Sequence, residues 1–319
     1  MTGRWSRWWG DWRALWAGEE SPLPMVIVRV ILPLVFLWDF WQVHQLHLVV
    51  PLWGPGDAGG IGDPEHRTRV ALLYQWFPAT VATTRAAFYL LCASTLAVSL
   101  GLLLPLASIV TVLVYAQLAQ VLPAGDRGID MLFRNVLLIL AFSGASRQWG
   151  LDALVFGRRA RVGAWARRLL ILQLVGLYFT AGIQKAGVAW WPWGGFSALY
   201  IVLQDMAVAR HSFEWLQRFY PLTQLLTAVT MAFELGACLV PFAYWARHTR
   251  AEPGWLRAQM NRVGFVPWWL LLGVGMHLGI AATMRLGVFP FAMMALYPAF
   301  FTAEEIRRFL RWPGPASGE

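Results

Sequence analysis

Residues Leu172–Gly194 read LQLVGLYFTAGIQKAGVAWWPWG, an apolar run with an amine near its far end, closed by a Trp/Pro/Gly turn. Such a run predicts a helix, and a membrane span takes roughly 20 predominantly apolar residues. The amine, Lys185, is the only lysine of the protein, set against 25 arginines. An amine at the end of a span either meets the water interface or sits in a pocket. A desolvated lysine can give up its proton, which a guanidinium does not, so a site that needs a neutral amine as base must use lysine.

Working outward, the whole chain has the same character. Of 319 residues 58% are hydrophobic and only 13% charged, where ordinary globular chains carry about 25% charged residues. The expected fold is all-α: a polytopic transmembrane helix bundle of about eight spans with interfacial helices. The net charge of +9 is almost all arginine. In a membrane protein that excess belongs to cytoplasmic loops and lipid headgroups, so the expected partner is membrane lipid and not nucleic acid. The 20 tryptophans point the same way, because indole prefers the membrane–water boundary. No CxxC, P-loop, GxGxxG or HExxH pattern occurs, and Cys92 and Cys238 read as small buried hydrophobes. No metal site is expected; His44 and His47 are three apart, a spacing that could share a helix face, but sit at a span end. The first apolar run follows Glu19 and Glu20 and is too long for the core of a cleavable signal.

Three regions are expected. Residues 1–22 form an interfacial segment in which Arg4, Arg7 and Arg13 mix with Trp5, Trp8, Trp9, Trp12 and Trp16. Residues 23–302 form the transmembrane domain, and 303–319 a cytoplasmic tail. The spans are expected at about Leu23–His44, Ala86–Leu106, Ser108–Leu122, Met131–Ala145, Leu169–Val188, Thr223–Trp245, Trp268–Met284 and Val288–Phe301. The second and third form a hairpin turned at Pro105–Ala107. A Gly/Pro-rich loop holding His66 and a second loop at 189–222 with interfacial helices complete the chain. The arginine-rich segments 146–168 and 246–263 fall on one side with both termini. By the positive-inside rule that side is cytoplasmic, in a bacterial inner membrane, and Lys185 faces the opposite side.

Five ionisable groups lie at membrane depth: Arg29, Asp39, Lys185, Glu234 and His277. Charges there cost several kcal/mol unless paired or hydrated, which makes each a functional candidate. Arg29 and Asp39 are ten residues apart, about 15 Å along a helix, and cannot pair with each other. Asp39 is too short to snorkel. The alternative to function is structural pairing within the bundle, Arg29 with Glu234 for example. His277 reads more readily as a hydrogen-bonded core residue than as a ligand.

The stretch YFTAGIQKAGVAWWPWG, Tyr178–Gly194, resembles the YF-x-AG-x-x-K-x-x-x-x-W-x-x-G stretch of the vitamin K-dependent γ-glutamyl carboxylase membrane domain, the HTTM domain. Arg29 and Asp39 match an Arg and an Asp at the same separation in the family's first span. FSGASRQWGLDAL (142–154), Glu234, and His277 with the following GIAATMRLGVFPF resemble later family segments in the same order. The resemblance covers most of residues 23–302. It implies Lys185 as the base that deprotonates reduced vitamin K or menaquinol, with His277 a second catalytic residue. It also implies Tyr178, Trp190 and Trp193 as cofactor-binding residues, and Arg29, Asp39 and Glu234 as structural polar groups. Oxygen addition then yields a strong base, and a peptide glutamate is carboxylated as the quinol becomes its epoxide. Two departures stand against full carboxylation. The family's histidine at the entry to the fourth span has no counterpart in Arg127–Met131. The large lumenal domain of animal members is not expected in 319 residues. The alternative is a non-catalytic membrane factor for maturation, export or immunity of a secreted peptide.

Overall fold

The computed structural model describes residues 9–10, 12–14, 16–64 and 71–311. The chain is helical, with one two-stranded antiparallel pairing, Glu19–Glu20 with Val162–Gly163. Among the described residues five helices are long and apolar enough to cross a membrane, or six if one bent pair counts as a single span. This pattern fits an integral membrane protein, and five to six of the eight expected spans pass that test of length and composition. The expected spans at 131–145 and 288–301 are the ones that fall short. The first is a helix of 15 residues, Gly128–Phe142, and the second an apolar stretch, Phe289–Phe300, that includes a 3-10 turn. Residues 1–8, 11 and 15 of the indole-rich N-terminal segment lie outside the described residues, as does His66; Trp12 and Trp16 are described and meet edge to face at 5.5 Å.

The chain forms two compact units, residues up to Leu170 with those from Pro298 onward, and Ile171–Tyr297. In the first unit, α1 (Leu23–Gln45) has Pro24 in its first turn, where a missing N–H costs nothing, and buries Val26, Val28, Leu32, Phe36 and Phe40. Phe36 stacks on Phe133 at 3.8 Å and 8°. α2 (Val81–Leu100) is capped by the Thr80 hydroxyl, which accepts from Thr83 N at 3.2 Å. It makes a hairpin with α3 (Leu104–Val121). The turn is Gly101–Leu103, earlier than expected: Gly101 takes the left-handed conformation that ends a helix, φ +64°. Pro105 does not break the chain; it sits in the first turn of α3. The free N–H groups of Leu103 and Leu104 donate to the Asp152 carboxylate at 2.6 and 3.1 Å. Thr111 bonds to Ser94 at 2.9 Å within the hairpin, a polar link of the kind that joins helices where water is absent. α4 (Gly128–Phe142) follows.

Glu20, on the short strand, takes both guanidinium arms of Arg167 at 2.6 and 2.7 Å, and Arg167 also donates to Ala299 O at 3.0 Å. The helix Ala303–Phe309 is closed by a Thr302/Glu305 capping box, and its Ala303 and Ile306 pack on Leu23. The start of the expected tail is therefore an ordered part of this unit.

α5 (Trp165–Gln184) carries the chain into the second unit. There the expected span at 223–245 is two helices, α6 (Tyr220–Gly236) and α7 (Leu239–His248), with a bend of 52°. The break falls at Ala237–Cys238; Pro241, in the first turn of α7, cannot donate to Ala237 O, so the hydrogen-bond ladder of α6 does not run on into α7. α8 (Phe265–Thr283) completes the long helices. The loop after α5 folds into two 3-10 turns and the helix Ala198–Gln204, and is held to the end of α8 by the Ala209–Met284 bridge over a cluster of Leu203, Phe213 and Leu216.

Candidate functional site

Lys185 is the first residue beyond α5, and its N–H still bonds to Gly182 O at 3.3 Å. The side chain reaches α6. Its ammonium donates to both carboxylate oxygens of Glu234, at 2.7 and 2.6 Å, and lies 3.5 Å from Ala181 O. Gly182 makes this approach possible: a Cβ there would stand 3.0 Å from the Leu235 side chain and 3.1 Å from that of Glu234. Glu234 occupies the last turn of α6, beside the bend. The pair is partly buried, with side-chain exposures of 21% for Lys185 and 9% for Glu234.

The Trp/Pro/Gly turn folds back over the amine. Lys185 Nζ lies 5.0 Å from the centre of the Trp190 ring, a cation–π contact, and Trp191 Nε1 donates to Lys185 O at 2.9 Å. Trp193 stacks on Trp191 at 5.3 Å and 5° and is largely exposed. So the structure brings Lys185, Glu234 and Trp190 together, while Trp193 turns outward.

Two turns earlier on α5, Tyr178 makes a second polar centre. Its hydroxyl bonds to His277 Nε2 at 2.8 Å and to the Tyr297 hydroxyl at 2.9 Å. His277 is completely buried, and its Nδ1 has no partner among the described residues. Phe233 and Glu234, adjacent on α6, serve the two centres separately. Phe233 meets Tyr178 edge to face at 4.8 Å and stacks on Trp269 at 4.8 Å, while Trp269 Nε1 donates to Phe233 O at 2.8 Å. Glu234 holds Lys185. The two groups are thus linked through neighbouring residues of one helix and one face of α5.

Compared with protein-family models, curated proteins and solved structures, the chain matches none.

Arg29 and Asp39 belong to the first unit and serve different partners. Arg29 does not pair with Glu234. It is fully buried and donates to Val98 O and Ser99 O at 3.2 and 2.6 Å, and to Trp149 O at 2.8 Å. A cation on the last carbonyls of α2 also complements the helix dipole. Asp39 pairs with Arg127, which simultaneously holds Asp130 through Nε at 2.9 Å and Nη2 at 2.8 Å. Burial works against the charge on Arg127, but its bonds to Asp130 and Asp39 outweigh that and hold the guanidinium above its ordinary pKa. The position where the resemblance implies a histidine is therefore occupied by an ion-pair cluster. Tyr297, Asp130 and Asp152 were not singled out from the sequence. Asp130 stands in the first turn of α4, where its carboxylate accepts from Arg127 N at 2.9 Å, and an acidic residue near a helix start is the one signal the sequence offered for it. Nothing in the sequence marks Tyr297.

Proposed function

We propose that the protein is an integral membrane protein of HTTM type that binds a reduced quinone, vitamin K hydroquinone or menaquinol, at the Lys185–Glu234 pair. The bidentate contact of Lys185 with Glu234 under the Trp190 ring carries this reading. The donor set fits a quinol: a carboxylate that can take a proton, a cation beside it, and an indole face at the edge of the site.

The pair shares one proton between two groups. In a site of low dielectric the charged and neutral forms lie closer in energy than they do in water. When the proton rests on Glu234 the Lys185 amine is neutral and takes the proton of a bound hydroxyl. That transfer leaves Lys185 as an ammonium beside the oxygen anion it has helped to form, while Glu234 keeps the first proton. Bound quinol supplies the electrons: with one O2 it gives one quinone epoxide and one water. Tyr178, His277 and Tyr297 hold a buried hydrogen-bond chain on the same face of α5 and keep that helix in register with α8. Carboxylation of a peptide glutamate is the extension that the resemblance implies. The arginine-rich segments 146–168 and 246–263 orient the chain with both termini in the cytoplasm of a bacterial inner membrane. The test is epoxide formation by the purified chain in detergent, supplied with quinol and oxygen.

A second reading has its own observation. The Asp39–Arg127–Asp130 cluster stands where a histidine would be needed for the full reaction. It favours a non-catalytic membrane factor acting on maturation, export or immunity of a secreted peptide. A folded protein that forms no epoxide would decide for it.

A further inference from the structure

The first unit contains a cavity of about 210 Å³ that the preceding account leaves unused. It lies beside the C-terminal part of α1, the segment around Trp53, the end of α3 and the loop leading to α4. That volume holds a molecule and not merely one water. Its walls are mostly apolar, with Phe40 and Tyr115 buried and Trp53 half-buried. The Phe40 and Tyr115 rings meet edge to face at 5.4 Å, and Trp53 packs on Phe88 at 6.0 Å. Its polar groups are Asp39, Asp126, Arg127 and Asp130.

The charges there do not balance. Arg127 bridges Asp39 and Asp130, and Arg134, which lies over the Tyr115 ring at 5.3 Å, is bidentate with Asp126 at 2.8 and 2.7 Å. Three carboxylates thus face two guanidinium groups, leaving one negative charge. Asp39 uses one oxygen for Arg127, and its other oxygen has no partner among the described residues. An anionic ligand would meet this excess with Arg127 already engaged by two carboxylates. A cation would neutralise it, and aromatic walls bind cations through their ring faces.

We propose that this cavity binds a small organic monocation, an alkylammonium or trimethylammonium compound, with its charge at Asp39 and its carbon groups against Trp53 and Phe40. The site is independent of the quinol reading, since its residues all belong to the first unit.

The test is titration calorimetry on the full chain in detergent, with choline and ethylammonium as probes. The neutral carbon isostere of choline, 3,3-dimethylbutan-1-ol, serves as control. Saturable binding of at least one cation is expected, with the isostere weaker by about tenfold or more, a difference of about 1.4 kcal/mol. Asp39→Asn is expected to weaken cation binding roughly tenfold and Trp53→Leu about three- to tenfold, the range of a partly desolvated cation–π contact. Absence of binding for both cations to folded protein would overturn the proposal. So would equal binding of the isostere, which needs no variant, or equal competition by sodium, which would mark an inorganic ion site. Unchanged affinity in a folded Asp39→Asn or Trp53→Leu protein would do the same.

Discussion

Lys185 and Glu234, 49 positions apart in the chain, meet through both carboxylate oxygens at 2.6 and 2.7 Å. With 21% and 9% of their side chains exposed, neither is well solvated alone. Removing one partner of a buried pair leaves an uncompensated charge, whereas replacing both is often tolerated. Lys185→Ala or Glu234→Gln alone is expected to destabilise the protein by about 2–4 kcal/mol, and Lys185→Met with Glu234→Met by clearly less. A double-mutant cycle on thermal melting in detergent checks this. Additive losses would show that the two groups are not coupled.

Tyr178 shares its hydroxyl between His277 and Tyr297. Tyr178→Phe keeps the ring against Phe233 and Trp269 but strips both partners of their common bond. About 1–3 kcal/mol of stability should be lost, the cost of leaving buried polar groups unsatisfied. Tyr297→Phe removes only the outer bond and should cost less. Thermal melts of the two variants rank them, and the opposite order would contradict the arrangement.

Gly273 on α8 is the point where that network leaves no room. A Cβ there would overlap the Tyr297 hydroxyl and stand 2.8 Å from the Phe233 ring. Gly273→Ala should therefore destabilise by about 1–3 kcal/mol despite the better helix propensity of alanine. Gly275, two residues on and so on the opposite face of α8, with open space around its Cβ, is the control. Gly275→Ala should be neutral or stabilising in the same assay.

Asp152 caps α3 from 48 positions away, accepting from Leu103 N and Leu104 N. Asp152→Ala leaves two helix-end donors open and should cost about 1–2 kcal/mol, the worth of a strong N-cap. Asp152→Asn keeps one acceptor oxygen and should recover part of it. Equal loss in both variants would point to the charge and not the cap.

Long apolar runs were legible because their length alone sets their structure. The limits of α1 follow from the proline pair Pro22 and Pro24 and from the last apolar residues before Gln45. α5 was legible apart from its end, which stops at Gln184 and leaves Lys185 just outside the helix. Proline position misled at the hairpin, since Pro105 reads as a breaker from sequence but serves as a helix starter once Asp152 caps the turn. Pro241 signals the bend between α6 and α7, but Ala237 and Cys238 are apolar and continue the hydrophobic run across it. Lys185 and Glu234 were both recognisable as intramembrane charges. Their pairing was not, since no local pattern connects residues on two helices. Asp39 was seen to need a partner; Arg127, in a loop 88 positions on, was not foreseeable as that partner.

The most direct measurement is quinone epoxide formed by the purified chain from menaquinol or vitamin K hydroquinone under oxygen, compared with Lys185→Ala and Lys185→Arg. The account predicts epoxide from the native protein and loss of at least about a hundredfold in both variants, the low end of what general-base catalysis contributes. Arginine fails with alanine because a guanidinium cannot give up its proton. Equal turnover in a folded Lys185→Ala protein would contradict the assignment of Lys185 as the base, and no epoxide from the folded native protein would contradict the quinol chemistry itself.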